Sequence, residues 1–367
     1  MYFCLKSISM RIFIFFFLLS FVSTSCKKTQ ESVSKEFMQS ARGDADEIII
    51  VSDSSDWAGD IGSALRSIFR SPIQGLPQDE APFKVNKASP LKLNSVLKSA
   101  VNMVFVMTLD NPSRESKVIR NYFTDESLKE ISRDTSRFML VRKDEFARGQ
   151  TVLYFFSKEG EILAEQLRQN EERIRQYFEN QVKQKVASSL LKSREPQIEK
   201  VLQEDHNIQI RVPFGWELAK NKDNFVWMRL LDVDQEQNVF LYYQQYNDAS
   251  VFENVLDLRD KITETYLRDS EKRELYITRQ DRPDLRTAFF DQTTFKGMYA
   301  MELRGLWKIS DNSAGGPYVS YTFVDEDTQT LYYLEGYVYA PGGKKKNLVR
   351  EVEAIMSTFK LIEEENQ

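Results

Sequence analysis

The sequence is poor in the residues that most often carry chemistry. Of 367 residues, two are cysteine, Cys4 and Cys26, and one is histidine, His206. Both cysteines fall within the first 26 residues, so the chain beyond them forms no disulfide, even in an oxidising compartment. Zinc sites draw on several His or Cys ligands, and neither a metal nor another cofactor is expected. Any Ser-His or Cys-His arrangement must run through His206. That residue stands between Asp205 and Asn207 just before an apolar run, which reads as a solvated linker position. Clustered basic charge is also scarce. Lys344-Lys345-Lys346 is the densest block in a chain of formal charge −5. Phosphate backbones require far more, so nucleic acid is not expected as a partner. Nor is there an apolar run of about 20 residues, the length that spans a bilayer core.

What the first residues do contain is RIFIFFFLLSFV, Arg11 to Val22, a short apolar run behind one positive charge. That is the form of a signal peptide. Small residues, Ser23-Thr24-Ser25, lead directly to Cys26, whose thiol is suited to accept diacylglycerol after cleavage. The segment resembles a bacterial lipoprotein lipobox, with Ser23 where the usual pattern has Leu. Translation from Met10 rather than Met1 would give the cleaner leader. Loss of residues 1–25, which carry Lys6 and Arg11 and no acid, leaves a mature chain of charge −7. From Cys26 to Asp46 the composition is polar and reads as a flexible tether. Lys27-Lys28 directly after the cysteine favour a periplasm-facing protein, partnered with the membrane through the lipid on Cys26.

The remaining 320 or so residues are enough for two domains, at about 150 residues each. Ile48–Val51 is a β-branched run fit for a buried strand, and apolar positions 57, 61, 65 and 68/69 predict a helix behind the capping residues Asp53 to Asp56. Further strands are expected near 83–85, 103–109, 138–142 and 151–156, with a helix opened by Asn111-Pro112-Ser113. Connections that look too short for regular parallel crossovers point to an antiparallel or mixed sheet. Residues 158–204 carry apolar positions at steps of four and seven, which predicts a long amphipathic helix broken at Pro196. The second half alternates through strands at 208–212, 225–231, 239–243, 275–279, 287–292, 297–307, 318–324 and 331–339. Helices are expected at 255–268 and 347–356. The fold class is α+β: two α/β-sandwich-like halves with mainly antiparallel sheets, 47–157 and 205–362, joined by the long helix at 158–204. The many aromatic residues read as sheet packing.

Two stretches carry a resemblance. The run Trp57, Gly59-Asp60, Leu65-Arg66, Phe69, Pro72, Gly75-Leu76-Pro77-Gln78 resembles the opening of an uncharacterised family of envelope lipoproteins from Bacteroidota. Pro213-Phe214-Gly215-Trp216, followed by Phe225-Val226-Trp227-Met228-Arg229, is similar to that family's second half. The second half alone, from the Pro-x-Gly-Trp turn to Ser357-Thr358-Phe359, is similar to PsbP-like domains. The resemblance implies a cell-envelope location and no particular activity.

Candidate sites are few. Asp53, Asp56 and Asp60 surround Trp57, an aromatic among acids of the kind sugar sites use, although helix capping accounts for Asp53 and Asp56 equally. Asp232-x-Asp234-x-Glu236-x-Asn238 has the alternating oxygens of a calcium loop, but Gln237 and Tyr243 stand where such a loop needs Gly and Glu. A charged hairpin is expected instead. Gly342-Gly343-Lys344 before a helix suggests anion capture at a helix N-terminus. No catalytic residue is assigned. The expectation is a lipid-anchored envelope protein with a non-enzymatic binding or assembly role and an envelope protein as partner. The alternatives are a carboxylate-based hydrolase of cell-wall or glycan material, and a small-ligand carrier with its pocket between the halves.

Overall fold

The computed structural model describes residues 38–268, 274–281 and 286–362. The leader, Cys26 and the first part of the expected tether lie outside the described residues. The chain divides into two compact units, the first comprising residues up to Ile68 and Phe83–Glu171, the second Phe69–Pro82 and Glu172 onward. Among the described residues, no helix is long and apolar enough to cross a membrane.

The first unit is built on a five-stranded sheet of order β2-β1-β3-β5-β4. Its strands are β1 (Glu47–Val51), β2 (Lys84–Ala88), β3 (Asn102–Thr108), β4 (Met139–Lys143) and β5 (Thr151–Ser157). The continuous apolar runs of β1, β3 and β5 are buried on both sides, as the central strands of a parallel sheet must be. The sheet is mixed. β1 pairs in parallel with β2 and β3, β3 in parallel with β5, and only edge strand β4 runs antiparallel. The connections thought too short for parallel crossovers do make them. Residues 52–83 and 109–150 each have room for helices that carry the chain back along the sheet.

Helices α1 (Ser54–Ala58) and α2 (Asp60–Arg70) follow β1, and α3 (Ser95–Lys98) precedes β3. Between β3 and β4 lie α4 (Arg114–Arg120) and α5 (Asp125–Arg133), whose Ile119 and Ile131 pack with Val51, Phe105 and Tyr154 on one face. Residues 41 and 42, expected within the tether, instead bond to the backbone of Arg148 and Ser99, so the ordered chain begins before Asp46.

The expected long helix comes in pieces. α6 (Gly160–Gln169) closes at Asn170, α7 (Glu171–Leu190) follows, and Pro196 opens α8 (Pro196–His206) as its first residue. Proline suits that position because its missing N–H would be unpaired there anyway.

The second unit is an antiparallel sheet ordered β10-β12-β13-β14-β9-β8-β7, with β11 also pairing β12. These strands are β7 (Glu217–Lys222), β8 (Phe225–Leu231), β9 (Glu236–Gln245), β10 (Ile277–Arg279), β11 (Ala288–Phe295), β12 (Met298–Ile309), β13 (Gly315–Asp325) and β14 (Thr330–Tyr339). A short pair, β6 (Ile208–Gln209) with β15 (Lys360–Leu361), lies apart from it. Side chains alternate between two cores. One holds Val226, Val239, Val319 and Leu334 against α8 and α11 (Lys346–Met356). The other holds Phe225, Phe240, Trp307, Tyr333 and Tyr337 against α10 (Val255–Tyr266), which follows the short α9 (Ser250–Glu253). Gly336 lets α11 approach closely, since a Cβ there would sit 2.7 Å from Val352 Cγ2. The same helix sends Glu353 to Arg304 and to Lys183, 3.2 Å away, and Arg350 to Glu179 of α7 at 2.9 Å.

Candidate functional site

Asp53 opens the first crossover of the parallel sheet and caps α1. Its Oδ1 accepts from Ser55 N–H at 2.7 Å and Ser55 Oγ at 2.5 Å, and its Oδ2 from Ser113 Oγ at 2.6 Å. Ser113 is itself the N-cap of α4, so one carboxylate ties together the helices that follow β1 and β3. Burial pushes the Asp53 carboxyl up, but the bonds from Ser113, Ser55 and Asn111 outweigh it and hold its pKa well below the carboxylate range. Asp56 behaves oppositely. Burial and the nearby Asp53 and Asp110 raise its pKa against the single bond from Asn111 Nδ2, 3.0 Å long.

Trp57 is half-buried under the Arg66 guanidinium, 5.2 Å from its ring centroid, while Asp60 is exposed and faces Arg168 at 3.8 Å. The four residues are neighbours, each with its own partner. Asp53 is engaged in capping, Asp56 accepts from Asn111, and Asp60 is engaged in a surface ion pair.

His206 is not the solvated residue expected. It is 5% exposed, with Nδ1 3.1 Å from Tyr243 Oη and Nε2 2.6 Å from Asn221 Oδ1. The cause is Asn207, which takes a left-handed conformation at the end of α8 and turns the chain into β6, tucking the ring against the sheet. Residues 232–235 form the tip of the β8–β9 hairpin, as expected of a failed calcium loop. Among the described residues no group of three or more His, Cys, Asp or Glu is placed to hold a metal. The N-terminus of α11 does capture an anion, and it is the chain's own. Buried Glu80 accepts from Lys345 N–H at 2.8 Å and Lys346 N–H at 3.3 Å.

An opening of site size lies on the α10 face of the second sheet. A cavity of about 790 Å3 forms beyond the end of α10, bordered by Lys220, Trp227, Arg229, Glu236, Trp307 and Tyr337 among others. Strand register assembles it. Arg229 lies beside Asn238, which lies beside Tyr337, and the row above pairs Leu231, Glu236 and Tyr339. A bulge in β7 between Leu218 and Lys220 is what aims the ammonium inward. In a regular strand these two would share a face. Instead Leu218 packs in the opposite core while Ala219 and Lys220 line the cavity.

Lys220 Nζ donates to Tyr266 O at 2.5 Å, and burial together with Lys222 lowers its pKa. Arg229 Nε donates to Glu217 Oε1 at 2.5 Å, and its guanidinium lies 5.4 Å from the Trp227 ring centroid. No local motif announces this constellation, because its residues come from strands spread over 120 positions of sequence.

Residues 195–358 match DUF4837 and residues 41–190 match DUF8532, both domains of unknown function. No curated protein matches the chain. Among solved structures, one from Bacteroides thetaiotaomicron is similar over 44% of this chain at 12% identity and TM-score 0.25; the similarity spans only 47% of that protein. The Ran-binding protein Mog1p of Saccharomyces cerevisiae is similar over 42% of this chain and 90% of its own, at 11% identity and TM-score 0.27. LpqN of Mycobacterium tuberculosis, involved in cell envelope biogenesis, is similar over 41% and 81%, at 14% identity and TM-score 0.26. Likenesses this slight say nothing of activity.

Proposed function

We propose that this chain is an exported protein of the bacterial cell envelope, tethered by a lipid on Cys26, that works by non-enzymatic binding through the cavity of its second unit. The location rests on the leader, on Ser23-Thr24-Ser25-Cys26 and on the resemblance to Bacteroidota envelope lipoproteins. The observation that carries the binding role is the cavity itself. Its volume suits a small organic ligand, and aromatic walls with a few polar groups are the usual lining of such sites.

Among its described lining residues Glu236 is the one carboxylate, whereas glycoside hydrolysis of the common kind calls for two. The acids around Trp57 offer no better pair, since both oxygens of Asp53 accept bonds from the protein.

The test is photocrosslinking in living cells with p-azidophenylalanine replacing Tyr276 at the cavity rim. A discrete small-molecule adduct supports the cavity, and an adduct with one envelope protein moves the binding role to a docking surface. Labelling no greater than from the same group at exposed Glu126 contradicts both.

A further inference from the structure

The walls of the cavity mix aromatic and polar surface, and its charged groups are uneven in sign. Trp227, Trp307 and Tyr337 present rings, and Lys220 and Arg229 stand on adjacent strands at one side. Neither cation is fully engaged. Lys220 Nζ has three donors and one protein acceptor, the Tyr266 carbonyl. Arg229 donates to Glu217 through Nε, and its two terminal nitrogens have no hydrogen-bond partner among the described residues. Glu236 on β9 likewise has no side-chain partner among the described residues, although it lines the same space. A partly desolvated ammonium and a guanidinium fork beside aromatic walls match one kind of ligand above others.

Building on the binding role proposed above, we propose that the cavity takes an organic anion. Its apolar body rests on Trp227, Trp307 and Tyr337, and its carboxylate, sulfonate or phosphate is held between Lys220 and Arg229. Glu236, on the strand beside Arg229, opposes the anion, which sets a limit on affinity and disfavours ligands carrying more than one negative charge.

Two naphthalene probes of similar size separate this inference from the reading on which it rests. One is 1-anilinonaphthalene-8-sulfonate, an anion, and the other N-phenyl-1-naphthylamine, which is neutral. Both are titrated by fluorescence into the intact protein. The expected result is saturable binding of the sulfonate at one site, weakened about 10-fold by Lys220→Gln or Arg229→Gln, with the neutral probe changed less than about 2-fold. Glu236→Gln is expected to tighten the sulfonate while leaving the fold's melting curve in place, so the inference does not depend on a variant that weakens binding.

Displacement of the sulfonate by laurate assigns an alkyl body, and displacement by 1-naphthoate an aromatic one. Binding of the neutral probe alone overturns the anion inference but leaves the cavity as a binding site. Failure of both probes, or sulfonate binding indifferent to all three substitutions, overturns the cavity assignment as well.

Discussion

Arg259 and Glu335 form a two-pronged ion pair from which water is fully excluded, Nε to Oε2 at 2.9 Å and Nη2 to Oε1 at 2.8 Å, each side chain 0% exposed. The pair joins α10 to the centre of β14, with the Tyr333 hydroxyl donating to the same carboxylate at 2.6 Å and the Tyr318 ring beneath the guanidinium at 3.9 Å. Burial pushes the Glu335 carboxyl up against the pull of Arg259. Removing one partner strands the other charge in the core. Arg259→Met or Glu335→Gln alone is expected to cost about 3–5 kcal/mol in urea unfolding, with most of that loss recovered in the double variant. Additive losses would show that the two residues act independently.

Glu353 gives the second sheet a marked acid dependence. Burial alone would raise its carboxyl, but Arg304 and Lys183 outweigh it and hold the pKa at about 2, against an ordinary 4.5. A depressed carboxylate contributes stability above its unfolded pKa and loses it as pH falls through the folded one. The window is therefore pH 4.5 down to 2, and the contribution at stake is about 3 kcal/mol. Unfolding free energies between pH 6 and pH 2.5 should fall more steeply for the wild type than for Glu353→Gln. Parallel profiles would contradict the assignment.

Asp56 has the opposite sign. Its raised pKa means that the fold favours the neutral acid, so its contribution is present below the unfolded 3.8 and is lost as pH rises through the folded value. Asp56→Asn keeps the acceptor for Asn111 without the charge. The variant is expected to match the wild type at pH 3 and to exceed it at pH 7 by thermal melting. A variant less stable at pH 7 would mean that the ionised carboxylate is needed, and would return Asp56 to consideration as a site residue.

The parts of the fold that were legible in the sequence are those where one residue pattern answers to one environment. β1, β3 and β5 read as buried strands because their apolar runs are unbroken, and α4 read as a helix because Asn111-Pro112-Ser113 supplies its cap. Edge strand β7 and helix α5 were missed. β7 is Glu-Leu-Ala-Lys-Asn-Lys, and charge on an edge strand protects it from pairing with other chains while erasing the alternation that marks a strand. α5 is a helix of 9 residues whose apolar stripe is Leu128 and Ile131 alone, too few positions to mark a helix in the sequence. The parallel pairing of the first sheet depends on which strands become neighbours, and strand order is not written locally.

The sites divide in the same way. Capping by Asp53 follows from adjacent residues, whereas the burial of His206 depends on the left-handed Asn207 and on Tyr243, 37 positions away. The cavity was the least legible feature. Lys220, Trp227, Glu236, Trp307 and Tyr337 belong to five strands, and only their register and the bulge in β7 bring them to one opening.

Attachment at Cys26 is the premise on which the envelope reading rests, and metabolic labelling with alkyne-palmitate tests it most directly. Wild-type protein and Cys26→Ala are expressed in the same cells, labelled, and separated into membrane and soluble fractions. The wild type is expected to carry the label and remain with membranes, and Cys26→Ala to lose the label and leave the membrane fraction. Label retained by Cys26→Ala, or a wild type that is exported without acquiring label, would contradict the tether.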